Sequence, residues 1–247
     1  MITTEARDGI SVVRLDRPAR RNALVPELAQ SLVEHLKAAG AVRLPVVLTA
    51  TGTTSCPGAD LKWLATCGDP ALGVAELVAL HHLAIVTLLE MPVPVIAAVN
   101  GSVAGGGLGL MLAADYRIAA QRSTFTAAYF RLALTPDGGS SAFLEHLIGP
   151  ARTLELLLTN RRLAAQEAHA WGMVNEVVED AQLLDRAVAF AASLDRVPAY
   201  ALLETRRLLD TVNIRNQLQR ESVAIRAAAR GAAFRDALKA FLDAHPV

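Results

Sequence analysis

The sequence predicts an α/β core followed by an all-helical C-terminal tail. Strand-like apolar runs alternate with helix-like patterns up to about Val178, and from about Leu183 no strand candidate remains. Alternation of this kind is typical of an α/β fold, and a tail without strands indicates a helical appendage. The 247 residues, of which 53% are hydrophobic, are enough for one large domain or for a core with an appendage.

The N-terminal part predicts a strand and then an amphipathic helix. The strand is expected near Ile10–Leu15. The helix that follows has one apolar stripe, formed by Leu28, Leu32, Val33 and Leu36. Gly40 is a natural residue to end this helix, because glycine accepts the left-handed backbone of a helix C-terminus.

Two buried-strand candidates each lead into a glycine-containing turn that enters a helix. The run 45–50 precedes Ser-Cys-Pro-Gly-Ala-Asp-Leu at 55–61, where Asp60 can cap a helix starting at Leu61. The run 94–99 precedes Ala-Gly-Gly-Gly-Leu-Gly at 104–109. The first amides of a helix lack partners and attract negative charge, so a phosphate or a developing oxyanion fits such turns. A tight turn that needs glycine for positive φ is the alternative.

The later segments predict a long helix, a turn and the helical tail. Residues 75–90 are helical, with Val78, His82, Ile85, Val86 and Leu89 expected on one face. A histidine on such a stripe is more often a core residue with satisfied nitrogens than a catalyst. Residues 134–141, Leu-Thr-Pro-Asp-Gly-Gly-Ser-Ser, predict a turn around Asp137. Segments 198–209 and 222–242 are predicted helices of the tail.

Composition excludes several classes of protein. Lys and Arg number 24 and so do Asp and Glu, so the zero net charge gives no basis for nucleic-acid binding or an acidic membrane face. Cys56 and Cys67 are too few for a disulfide framework and have no neighbours at metal-ligand spacing. The N-terminus has no apolar signal core, and we expect every apolar stretch to be too short for a membrane span. These features predict a cytoplasmic protein.

Taken with other segments, the two glycine turns resemble the crotonase (enoyl-CoA hydratase/isomerase) superfamily. The matching segments lie in the family's order along nearly the whole chain: 17–24, 55–61, 91–109, 115–119 and 170–178. The resemblance implies a spiral of ββα units over residues 1–190 and a C-terminal helical region over 191–247 that packs in a trimer. It therefore implies a homotrimer or a dimer of trimers.

The resemblance also implies a substrate and its contacts. The amides of Ala59 and Gly106 would form an oxyanion hole for the thioester carbonyl of an acyl-CoA. Coenzyme A would contact Arg21, Asp60 and Lys62 besides those two residues, with its phosphates drawn to basic side chains. Coenzyme A enters as part of the substrate, and we expect no separate cofactor and no metal.

The chain departs from the hydratases of this family at both of their catalytic glutamates. Gly109 stands at the first position and Tyr129 at the second, and neither replaces a carboxylate as a base at neutral pH. Several family members that shift double bonds carry their catalytic Asp at the position of Asp137. We therefore expect an enoyl-CoA isomerase in which Asp137 is the base, with its pKa raised by an apolar pocket, and Tyr129 shapes the acyl pocket or donates a hydrogen bond.

Two alternatives stay open at the level of sequence. The aryl-CoA dehalogenases of the superfamily pair a nucleophilic Asp at the position of Asp137 with a His at that of His82, although His81 and Tyr129 stand here where tryptophan is expected. A segment much like Leu-Thr-Asn-Arg at 158–161 also occurs in them. The other alternative is a crotonase scaffold that binds without turnover.

Overall fold

A computed structural model describes residues 1–211 and 213–245 of the chain. The strands are β1 (Ile2–Arg7), β2 (Ile10–Leu15), β3 (Val46–Ala50), β4 (Thr54–Cys56), β5 (Val95–Val99), β6 (Ser102–Ala104), β7 (Tyr116–Ala120), β8 (Thr124–Thr126), β9 (Leu163–Ala164) and β10 (Glu176–Val178). The α-helices are α1 (Pro26–Val42), α2 (Leu61–Thr66), α3 (Pro70–Leu89), α4 (Gly106–Leu112), α5 (Ser140–Thr159), α6 (Ala165–Ala170), α7 (Leu183–Ala192), α8 (Ala199–Leu209), α9 (Ile214–Ala229) and α10 (Ala232–Ala244).

Two sheets of mostly parallel strands form the core. The larger has the order β1-β2-β3-β5-β7-β10, and the smaller has the order β4-β6-β8-β9. Strands β3, β5 and β7 of the larger sheet are each followed by a strand of the smaller sheet and then by a helix. This repeat of two strands and a helix is the predicted spiral of ββα units.

Helices cover both faces of the larger sheet. On one face the apolar side chains of α1, α3 and α4 pack in the main core. On the other face α7 covers β2, β3, β5 and β7 with Leu183, Ala187, Val188 and Ala191. Strands β3 and β5 are buried at every position, as parallel strands between two layers of helices must be.

The C-terminal helices include contacts within their own chain. A third cluster joins Leu64 of α2 and Val78 of α3 to Ile225, Phe234 and Leu238 of α9 and α10. The trimerisation predicted for residues 191–247 stays a prediction, and Val212, Pro246 and Val247 of that region lie outside the described residues.

Two helix boundaries and one buried helix face differ from the sequence expectations. Helix α1 continues past Gly40 to Val42, because Arg43 takes the left-handed conformation (φ 63°) that ends it. The predicted helix over 222–242 is two helices, separated at Gly231. The buried residues of α3 include Val78, His81, Ile85 and Leu88, so its core stripe contains His81 and not His82.

Helix α3 is also the one described helix that is long and apolar enough to cross a membrane, by length and composition alone. The expectation that every apolar stretch is too short was therefore wrong for these 20 residues. A helix in a protein core passes the same test, and α3 packs against α1, α2, α4 and α9.

Candidate active site

The turn before α2 is fixed by a buried carboxylate. Asp60 caps α2 as predicted, accepting hydrogen bonds from the amides of Lys62 and Trp63 at 3.1 Å each. Its oxygens also accept from Arg17 Nη1 at 2.7 Å and from Arg20 Nη2 at 3.0 Å. Burial acts to raise the pKa of Asp60, but the two guanidinium groups outweigh it and hold the pKa below its ordinary value. Asp60 thus anchors the backbone that carries Ala59.

The predicted CoA contacts lie around this turn. Arg21 is exposed in a left-handed conformation (φ 56°) directly after the short 3-10 turn Pro18–Arg20. Lys62 is half-buried in the first turn of α2. Sequence reasoning missed Arg17 and Arg20 as partners of Asp60, because nothing in their spacing points to a residue 40 positions away. The CoA role of Asp60, whose oxygens are already bonded, stays a prediction.

The glycine triplet packs directly against the Ala59 turn. A Cβ atom on Gly58 would lie 3.1 Å from Gly106 N, and one on Gly107 would lie 2.2 Å from the Cys56 carbonyl oxygen. Only glycine allows two backbones to approach this closely. Within the described residues, the turn and loop hydrogen bonds include none donated by the amides of Ala59 or Gly106. The two predicted oxyanion donors therefore belong to adjoining turns, and the oxyanion hole stays a prediction.

Asp137 lies on a buried turn between α4 and α3. Gly138 and Gly139 follow it with left-handed φ values of 63° and 78°. A Cβ on Gly109 would lie 2.3 Å from the Gly138 carbonyl oxygen, and one on Gly138 would lie 2.2 Å from His81 Cε1. The turn thus occupies the space beside Gly109, and no side chain fits at position 109 without moving it.

His81 connects the Asp137 turn to the glycine triplet. Its Nδ1 lies 3.5 Å from Asp137 Oδ2, and its Cε1 would lie 3.2 Å from a Cβ on Gly106. The ring is only 2% exposed, and its Nε2 has no hydrogen-bond partner within the described residues. Sequence reasoning assigned the site role to His82 through the resemblance to the aryl-CoA dehalogenases, and it gave His81 no role of its own.

His82 also contacts the Asp137 turn, through its Nε2 atom. Its Nε2 accepts a hydrogen bond from Gly138 N–H at 3.0 Å, which places the proton of the neutral ring on Nδ1. Burial and the neighbouring His81 lower the pKa of His82 to about 4, so His82 is neutral at pH 7. The lone pair that a base would use is thereby engaged with the backbone.

The pKa of Asp137 is lowered, which corrects the expectation that it is raised. Burial does act to raise it, but the hydrogen bond and charge of His81, with the nearby His82, outweigh burial and hold the pKa below its ordinary value. Asp137 is therefore a buried carboxylate that stays ionised at neutral pH.

Tyr129 holds the turn through the backbone. Its hydroxyl donates to the Asp137 carbonyl oxygen at 3.1 Å and lies 3.0 Å from Ser140 Oγ. Burial raises the pKa of Tyr129 well above its ordinary value, so the group is a neutral hydroxyl. It positions the Asp137 turn.

The site also contains three groups with metal-ligand chemistry. One ligand atom each of His81, His82 and Asp137 lies within 4.8 Å of the others. His82 Nε2 already accepts from Gly138, and His81 Nδ1 faces the Asp137 carboxylate. The expectation of no metal stays a prediction.

Comparison with known proteins gives concordant matches. Residues 5–242 match the family model described as enoyl-CoA hydratase/isomerase. The chain is 34% identical to 1,2-epoxyphenylacetyl-CoA isomerase of Escherichia coli, over 98% of this chain and 95% of that one. It is also 34% identical to 4-chlorobenzoyl coenzyme A dehalogenase-2 of an Arthrobacter species, over 81% and 74% of the two chains. The crystal structure of an enoyl-CoA hydratase from Bacillus halodurans superposes with a TM-score of 0.88 at 26% identity, covering 97% of this chain and 99% of that chain.

Proposed function

The chain belongs to the enoyl-CoA hydratase/isomerase (crotonase) family, and on this premise we propose that it is an acyl-CoA isomerase that converts a 3-enoyl-CoA into the conjugated 2-enoyl-CoA. The observation that carries the proposal is the placement of Asp137. Its buried carboxylate lies on a turn packed against α4, and the His81 ring lies beside both that turn and Gly106. One base and one oxyanion hole are what this reaction requires.

The reaction needs a single proton-transfer group. The thioester carbonyl binds between the amides of Ala59 and Gly106, and Asp137 takes a proton from C2. The C2–H electron pair moves into a dienolate whose negative charge rests on the thioester oxygen, where the two amides stabilise it. Asp137 then returns the proton to C4, and the double bond moves from C3=C4 to C2=C3.

Two features argue against water addition as the main activity. A hydratase of this family uses two glutamates, and at position 109 the Gly138 carbonyl oxygen fills the space that a side chain would need. At position 129 the tyrosine hydroxyl is bonded to backbone and to Ser140. Of positions 109, 129 and 137, Asp137 is the one that provides a carboxylate, which suits a reaction that starts and ends on one face of the substrate.

Contacts with the coenzyme A portion are proposed for Arg21 and Lys62. Both flank the Ala59 turn, and their positive charges suit the phosphates. Arg17 and Arg20 act differently, because their guanidinium groups bind Asp60 and so hold the turn that supplies the Ala59 amide.

A second candidate uses Asp137 as a nucleophile on an aryl-CoA, as the name of the dehalogenase relative suggests. Asp137 would attack the halogen-bearing ring carbon, the halide would leave, and water would cleave the resulting ester. The lowered pKa of Asp137 favours an ionised nucleophile. The engaged Nε2 of His82 argues against it as the base for the second step, so we place this candidate second.

We also propose assembly as a homotrimer or a dimer of trimers through the C-terminal helices. Helix α8 carries strongly exposed apolar side chains, with Tyr200 79% and Leu208 80% exposed. Apolar surface of this kind is typical of an interface between subunits.

The proposed reaction is tested with a panel of 3-enoyl-CoAs, following formation of the conjugated thioester by ultraviolet absorbance. Wild type should form 2-enoyl-CoA, and Asp137→Asn should lose at least about 10²-fold in kcat. Asp236→Asn, the same change at an exposed position of α10, should retain full activity. Both variants are checked for folding and for CoA binding by calorimetry.

Wild type that leaves every chain length unchanged would refute the isomerase proposal. Release of halide from a 4-haloaryl-CoA, with a covalent adduct on Asp137 by mass spectrometry, would support the second candidate. CoA binding without turnover of either substrate class would instead indicate a binding protein.

A further inference from the structure

A buried carboxylate of the C-terminal region contacts the turn that carries Asp137. Glu221 lies on α9, 84 positions after Asp137 in the chain, and is 4% exposed. Its Oε2 accepts a hydrogen bond from Gly139 N–H at 2.7 Å, and its Oε1 accepts from Ser141 N–H at 3.0 Å and from the Ser141 hydroxyl. Gln217, one helical turn earlier, donates to Ser141 Oγ at 2.8 Å.

These hydrogen bonds complete a helix that has no cap of its own. Helix α5 begins at Ser140, and its N-cap residue is Gly139, which has no side chain to accept from the first amides. Free amides at a buried helix N-terminus are costly, and a carboxylate there is favoured by both hydrogen bonding and the helix dipole. Here the carboxylate comes from a different helix.

Burying a charged glutamate costs free energy unless hydrogen bonds or ion pairs compensate it. The three contacts all lie within four residues of Asp137, and they fix the C-terminal side of its turn. Two other residues hold the same turn: Tyr129 donates to the Asp137 carbonyl oxygen, and His82 accepts from Gly138 N–H.

We propose that Glu221 is a positioning residue for catalysis, holding the Asp137 carboxylate in register with the amides of Ala59 and Gly106. This inference rests on the proposed isomerase function. It makes the C-terminal helical region part of the active-site framework within one chain.

The charge of Glu221 gives the inference a second readout. Burial raises the pKa of Glu221, and the nearby Asp137 raises it further against the hydrogen bonds from Ser141 and Gly139. Glu221 therefore loses its proton at a higher pH than Asp137 does, and Asp137 is already ionised while Glu221 titrates, so the electrostatic coupling of the pair is read at Glu221. The titratable groups that face Asp137 are His81 and His82 from α3 and Tyr129, and Asp137 in turn faces Glu221 from α9.

The test compares Glu221→Gln with Glu145→Gln, which makes the same chemical change at an exposed position of α5. Glu221→Gln should lower kcat about 10- to 10²-fold with KM within about threefold, because a misplaced catalytic group slows the chemical step more than it weakens binding. Glu145→Gln should match wild type in both quantities.

Two further measurements keep the outcome clear. Glu221→Asp retains the charge on a shorter side chain, so it should lose only part of kcat, and it replaces Glu221→Gln if that variant does not fold. The pKa of Glu221, read from its carboxyl ¹³C resonance, should fall in Asp137→Asn irrespective of any activity, because a negative neighbour is lost. An inactive wild type refutes the isomerase function, whereas an active wild type with unchanged kcat in Glu221→Gln, or an unchanged Glu221 pKa in Asp137→Asn, refutes the positioning role.

Discussion

Gly109→Ala tests whether the Asp137 turn requires a residue without a side chain at position 109 of α4. A Cβ at this position would lie 2.3 Å from the Gly138 carbonyl oxygen and 3.0 Å from its carbonyl carbon, both of them backbone atoms. The turn would have to move by about 1 Å to restore ordinary contact distances. A flexible side chain could rotate away, but this carbonyl is tied to a turn that His81, His82 and Tyr129 contact.

Two effects of opposite sign compete in this variant. Alanine stabilises a helix interior by about 0.5–1 kcal/mol relative to glycine, whereas overpacking of a buried site costs about 1–3 kcal/mol. The clash is with backbone, so we expect the upper part of that range and a net loss of about 1–2 kcal/mol. In a chain of this size that loss lowers the melting temperature by roughly 2–8 °C. Because Asp137 precedes the displaced residue, kcat should fall about 10²-fold as well.

Gly40→Ala is the matched control, since Gly40 also lies inside a helix. A Cβ there would meet only the side chains of Met91 and Pro92 at 3.5 Å, an ordinary contact. Gly40→Ala should therefore raise the free energy of unfolding by about 0.5–1 kcal/mol and leave activity unchanged. The assays are urea unfolding and the 3-enoyl-CoA conjugation rate. If Gly109→Ala is stabilised as much as Gly40→Ala and keeps full activity, the packing argument is wrong.

Two other predictions concern pH and assembly. The pKa of His82 is about 4 in the folded chain and about 6.5 when unfolded. The contribution of neutral His82 to the free energy of unfolding is therefore fully present above pH 6.5 and is lost as the pH falls toward 4. Between those values the unfolding free energy of wild type should drop by up to about 3 kcal/mol more than that of His82→Gln, measured in urea; equal slopes would contradict the assignment. Light scattering should give the mass of a trimer or hexamer, and Leu208→Glu on the exposed face of α8 should reduce it, whereas a monomeric wild type would refute the proposed assembly.

The local signals in the sequence were reliable where the cause is local. Asp60 caps α2, and Gly58 and Gly105 take the positive φ of their turns, because capping and positive φ depend on a few adjacent residues. Strand β1 was missed because four of its six residues are exposed, so it lacks the alternation of a half-buried strand.

The electrostatics of the site were not predictable in the same way. An apolar neighbourhood suggested a raised pKa for Asp137, but the side chain of His81 on α3 reverses the direction. His82 was chosen through the dehalogenase resemblance, whereas the histidine on the buried face of α3 is His81, about 100° away around the helix axis. Glu221 gave no signal, since a lone glutamate in a helical tail looks like any solvated charge until the tertiary fold brings it to Ser141.

The position of Asp137 is therefore a property of the packed core rather than of its turn sequence. Pro-Asp-Gly-Gly would form a turn anywhere, but here the turn is contacted by α3 through His81 and His82, by α4 through Gly109, and by α9 through Glu221. A glutamate introduced at position 109 would meet the Gly138 carbonyl oxygen before it reached a substrate. Moving this site toward hydratase chemistry would thus require rebuilding the Asp137 turn together with its supports, because the space for the second carboxylate is already occupied by the backbone that holds the first.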